Sequence, residues 1–93
     1  MSNYVIKKYS RIQAKRLGVQ IKPAENKAKK IDVYKGGKKV ATIGANGMND
    51  YPTYIQKKGL EFANERKRLY KIRFQKSRKK VGSNSYWADQ LLW

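Results

Sequence analysis

The stretch Thr53 to Lys80, TYIQKKGLEFANERKRLYKIRFQKSRKK, sets the terms on which this chain can fold. Ile55, Phe62 and Leu69 recur at intervals of seven, with Ala63 and Tyr70 beside them. A helix here therefore has one apolar stripe to bury. The rest of its surface is cationic, carrying Arg66, Lys67, Arg68, Lys71, Arg73, Lys76, Arg78, Lys79 and Lys80. Such a helix fits only a fold that buries one side and leaves the other to solvent or to a polyanion. Thr53 and Gln56 have the T-x-x-Q spacing of a capping box, and Pro52 disfavours helix at Tyr51. Gly59 interrupts the pattern at a cost of ~1 kcal/mol relative to Ala. It calls either for a close packing contact or for two helices meeting there. Glu61 and Glu65 come early and the cations late, the order that the helix dipole favours, and Glu65 stands three residues from Arg68, within pairing reach.

The charge extends to the whole chain. Of 93 residues, 23 are Lys or Arg and 6 are Asp or Glu, a net charge of +17. Repulsion on that scale opposes a compact state unless salt or an anionic partner screens it, and nucleic acid is the most economical such partner. A hydrophobic share of 40% and an aromatic share of 12% argue against wholesale disorder and for one small core. Cysteine and histidine are both absent, which excludes disulfides and His/Cys zinc sites. No apolar run approaches the ~18 residues of a membrane span, and the N-terminus lacks a signal-type apolar region. The expected setting is intracellular or inside a particle, with no membrane partner.

Met1 to Lys30 contains no acid before Glu25 and reads as a basic N-terminal arm, with residues 31–93 as the compact domain. Ser10 can cap a short helix, RIQAKRLG, with Ile12, Arg16 and Val19 along one side and Gly18 at its end. The arm either lies on phosphates or is a solvated tail. IDVY and VATI flank Lys35-Gly36-Gly37-Lys38, the pattern of a β-hairpin with a type I′ turn. A two-residue turn sets Val33 opposite Val40 and Ile31 opposite Thr42, and the resulting apolar face must pack on something, with the long helix as the expected partner. At the C-terminus Gly82 stops the basic run, and YWADQLLW forms a short helix with Trp87 and Leu91 on one side. Trp87, Leu91 and Trp93 either complete the core or anchor another protein.

The acids available for chemistry are Glu25, Asp32, Asp50, Glu61, Glu65 and Asp89. With neither His nor Cys, the usual general base and the thiol nucleophile are missing, so no enzyme, metal site, cofactor or small-molecule substrate is expected. Gly44 and Gly47 have GxxG spacing without the Lys-Ser/Thr ending of a P-loop. Tyr4, Tyr9, Tyr34, Tyr51, Tyr54, Tyr70 and Phe74 are able to stack on unpaired bases, although aromatics more often fill a core.

The blocks KKIDVY, IGANGMNDYPTYI, ERKRLYKIR and YWADQLLW, in that order, resemble a family of small basic proteins of large eukaryotic DNA viruses, the mimivirus and algal-virus group. The likeness covers about residues 10 to 93. It implies viral origin and a place in the virion, in the viral factory, or in the host nucleus or cytoplasm, and it carries no established activity. Where the family often has His after LYKIR, this chain has Phe74.

The expectation is a small α+β domain, a β-hairpin with room for a third strand packed on a long basic helix and closed by a short aromatic helix. Its expected function is sequence-independent binding of viral nucleic acid, double-stranded DNA before RNA, through Arg66, Lys67, Arg68, Lys71, Arg73, Arg78, Lys79 and Lys80. Arg11, Lys15 and Arg16 form a second patch. The rival is a minor capsid or scaffold protein that binds acidic virion proteins, or itself, through Trp87, Leu91 and Trp93.

Overall fold

A computed structural model describes residues 2–93. Its centre is a three-stranded antiparallel sheet of β1 (Gln20–Pro23), β2 (Lys29–Lys35) and β3 (Lys38–Ala45), in the order β1-β2-β3. The chain is thus the α+β domain that its pattern predicts. Gly36 and Gly37 turn the β2–β3 hairpin with φ of +60° and +81°, the two positive values that a type I′ turn requires. Lys35 pairs with Lys38 and Tyr34 with Lys39, but Val33 then faces Ala41 and Ile31 faces Ile43. The expected pairings of Val33 with Val40 and Ile31 with Thr42 do not form. A bulge ejects Val40, 41% exposed, so that Ala41 and Ile43 join Val33 and Ile31 on the inner face.

That face is covered by α1 (Lys8–Leu17) and α4 (Asn84–Leu92). Ala14 comes from α1, and Trp87, Leu91 and Leu92 from α4, all buried against the strands. Ser10 is not a cap. It lies fully buried inside α1, and its hydroxyl donates to the Leu91 carbonyl at 2.7 Å, tying α1 to α4. The buried face of α1 therefore runs through Ser10 and Ala14, and Ile12 points outward, 57% exposed. Ser83 caps α4 by accepting from the Tyr86 N–H at 3.1 Å.

The division at residue 30 is also corrected. Ile6, Ala14 and Val19 belong to the core, and β1 adds Ile21 opposite Val33. A radius of gyration of 12.5 Å matches the roughly 12 Å of a folded chain this long, which leaves no room for an extended arm.

Two helices replace the one long basic helix, α2 (Tyr51–Lys58) and α3 (Leu60–Arg73). Gly59 separates them at φ 90° and ψ 168°, a conformation essentially reserved for glycine. Asp50, not Thr53, caps α2 by accepting from the Thr53 N–H at 3.0 Å. Pro52 then sits in the first turn, where its missing N–H costs nothing. The core takes no residue from α2 or α3. Phe62 and Leu69 are 45% and 41% exposed, and within α3 only Ala63 is buried. The sheet packs on α4 in place of the basic helix because Trp87, Leu91 and Leu92 supply apolar area without a cation among them. Beyond α3 the chain makes a 3₁₀ turn at Ser77–Lys79 and enters α4. No helix of the described residues is long and apolar enough to cross a membrane.

Candidate nucleic-acid interface

Three of the six acids, Asp32, Asp50 and Asp89, are buried, and Glu25, Glu61 and Glu65 are exposed. Asp50 accepts from the Tyr4 hydroxyl at 2.6 Å, from Lys30 Nζ at 3.0 Å and from the Thr53 N–H. Burial alone would raise its pKa, but these donors outweigh burial and hold the carboxyl below its ordinary value. Burial, and then the neighbouring Asp50 carboxylate, push the Tyr4 hydroxyl well above its ordinary value. Asp32 is buried likewise, and its carboxyl is held low by Thr42 Oγ1 at 2.8 Å, the Glu25 N–H at 3.2 Å and Lys39 Nζ at 3.4 Å. Asp89 receives Lys71 Nζ at 2.6 Å and lies 4.0 Å from the Arg78 guanidinium. Glu65 pairs with Arg68 on the surface of α3.

Ion pairs among the described residues engage five cations, Lys30, Lys39, Arg68, Lys71 and Arg78. Among the described residues, the other eighteen of the 23 have no carboxylate partner. The protein thus neutralises itself inside and stays polycationic outside.

The expected contact residues divide accordingly. Lys71 and Arg78 join α3 and the 3₁₀ turn to α4 through Asp89, and Arg78 Nε also donates to the Lys71 carbonyl at 3.2 Å. Both are structural cations and not free phosphate ligands. Arg68 keeps an exposed side chain, because its pair with Glu65 is weak in water. Arg66, Lys67 and Arg73 are held over the rings of Tyr54, Tyr51 and Phe74 at 5.7, 4.5 and 5.3 Å. Lys79 and Lys80 are exposed. Arg11 and Lys15, one turn apart on α1, flank a shallow hollow beside Val19 and Ile21, and Arg16 is exposed on the same helix. Trp87 and Leu91 are 6% and 0% exposed, which removes them as protein anchors, while Trp93 is half-buried.

One feature escaped the sequence reading. A cleft of about 510 Å³ opens between the end of β3, α3 and α4. Tyr54, Tyr70, Phe74 and Trp93 line it, with Arg66 and Arg73 on the same lining. Tyr70 and Trp93 stack at 4.7 Å with 10° between their planes, and Tyr70 also meets Phe74 at 4.6 Å. Burial, then the Asp89 charge, push the Tyr70 hydroxyl up to about 12, so it is a neutral donor. Gly44 closes one end: a Cβ there would stand 2.9 Å from both Leu92 Cδ1 and Lys30 Cδ, so only glycine lets β3 approach this near. The available signal was Tyr70 and Phe74, four apart, interleaved with Arg66 and Arg73, seven apart, on a mainly cationic helix. Helical periodicity assigns such a stripe to a core, and here it lines a cleft.

No family model, no curated protein and no solved structure matches the chain.

Proposed function

We propose that this protein binds nucleic acid without regard to sequence and acts on the DNA of a large eukaryotic virus, condensing it or tying it to the virion. The observation that carries the reading is the sorting of charge: the three buried carboxylates are paired within the fold, and among the described residues eighteen cations have no carboxylate partner. A polyphosphate strand meets such a surface and releases its counterions, which supplies most of the affinity and none of the base specificity. Lys67, Arg68, Lys79 and Lys80 near α3 are the leading phosphate ligands, with Arg11, Lys15 and Arg16 on α1 as a second set. Catalysis and a cofactor have no role in this reading. The viral setting rests on the family resemblance alone. The scaffold alternative has less behind it, because Trp87 and Leu91 are buried in the core.

The test is a mobility shift with duplex DNA, single-stranded DNA, RNA and a base-free polyanion at several salt concentrations. Replacing Lys67, Lys79 and Lys80 by Glu should weaken duplex binding and lower the salt slope by about one for each lost phosphate contact. Unchanged affinity in that variant would reject the assignment of these residues. Lys71 and Arg78 are unsuitable for this test, since reversing them breaks the Asp89 pairs and with them the fold.

A further inference from the structure

The aromatic cleft is not needed for phosphate binding. Exposed cations on a rigid surface suffice for that, and a cleft adds nothing to counterion release. Its volume of about 510 Å³ lies within the roughly 300–1,000 Å³ of small-ligand sites. Its walls combine two kinds of group. Tyr54, Tyr70, Phe74 and Trp93 offer ring faces, while Arg66 and Arg73 bring positive charge to the same space. The ligand such walls complement is flat, aromatic and attached to an anion.

We infer that the cleft receives one unpaired nucleotide of a nucleic-acid strand, its base against the Tyr70, Phe74 and Trp93 rings and its phosphate between Arg66 and Arg73. A base contributes a π-face whatever its identity, so stacking here keeps the binding independent of sequence. A paired base stays inside its duplex and leaves the cleft empty. A simple headgroup or a bare phosphate would use the arginines and leave the rings without a partner. The exposed Lys79 and Lys80, just beyond α3, carry positive charge to neighbouring phosphates, which favours a strand over a free nucleotide. The protein should then prefer single-stranded segments, gaps or strand ends to intact duplex. This inference rests on the proposed nucleic-acid binding and narrows it.

The two tryptophans supply the test. Trp87 lies in the core with its indole N–H unpartnered, and Trp93 lines the cleft. The Trp87→Phe variant makes Trp93 the sole indole, and its emission then reports on the cleft. Short oligothymidylate, a duplex, inorganic polyphosphate and thymidine monophosphate are each titrated against it. Saturable quenching by oligothymidylate, with little from duplex or polyphosphate, is expected. Adding Phe74→Leu, which keeps an apolar side chain but removes a ring face, should weaken single-strand binding about ten-fold and leave duplex binding unchanged. Arg66→Gln with Arg73→Gln, both exposed on α3, should lower the single-strand salt slope by about one, for the one phosphate held between them.

Binding of oligothymidylate without a change in Trp93 emission, or equal loss of single-strand and duplex binding in Phe74→Leu, would overturn the inference and leave the phosphate reading standing. Quenching as strong with thymidine monophosphate as with the oligonucleotide would overturn the assignment to a strand. Failure of every nucleic acid to bind at low salt would overturn both readings.

Discussion

Asp50 joins three parts of the molecule at one carboxylate: the N-terminal segment through Tyr4, β2 through Lys30, and the first turn of α2 through Thr53. Its pair with Lys30 is almost wholly buried, with side-chain exposures of 1% and 4%. A buried pair is poor insurance for stability as a unit, but losing one member strands the other charge. Asp50→Ala should therefore cost about 3–5 kcal/mol in denaturant unfolding, and a loss below 1 kcal/mol would mean that Lys30 finds water instead. The same carboxylate gives the fold an acid limit. Asp50 and Asp32 both have folded pKa values below the unfolded value of about 3.9. Their contribution is complete above that value and is lost as pH falls through the lower, folded ones. The denaturant midpoint should thus decline below about pH 4, and Asp50→Asn should blunt the decline.

The helices divide the work of the fold between them. α1 and α4 build the core, whereas α2 and α3 carry charge and line the cleft. Gly59 makes that division possible, because its φ of 90° with ψ of 168° turns the chain between α2 and α3. Gly59→Ala should destabilise the protein by roughly 1–3 kcal/mol in thermal or denaturant melts, since a side chain strains that conformation. Removing residues 84–93 should unfold the protein, seen as lost amide-exchange protection in β2 and β3; a folded remainder would place Trp87 and Leu91 outside the true core.

Much of this arrangement was legible in the residues. The Gly36-Gly37 turn, the helix ended by Gly18, the Gly59 break and the Glu65–Arg68 pair all follow from local rules of backbone and spacing. What local rules do not carry is competition between elements. The bulge at Val40 appears only because the inner face demands Ala41 and Ile43. Phe62 and Leu69 have the period of core residues but lose the sheet to α4, which buries more apolar area. Lys71 and Arg78 looked like free cations because Asp89, their partner, lies more than ten residues away in sequence and meets them only in the folded chain. The cleft has the same origin, since Trp93 reaches Tyr70 only once α4 has docked.

At the scale of the whole molecule, a net charge of +17 on a body measuring 37 × 29 × 23 Å is the dominant physical fact. Self-repulsion opposes the fold, so added salt should raise the melting temperature of the free protein, and a bound polyanion should raise it further. In the proposed function this charge meets phosphates. The most direct measurement is the dissociation constant for long duplex DNA across a salt series. Six to ten phosphate contacts predict a loss of affinity of about 10³–10⁵ between 50 and 200 mM salt. Absence of binding at 50 mM, or binding that salt leaves unchanged, would contradict it.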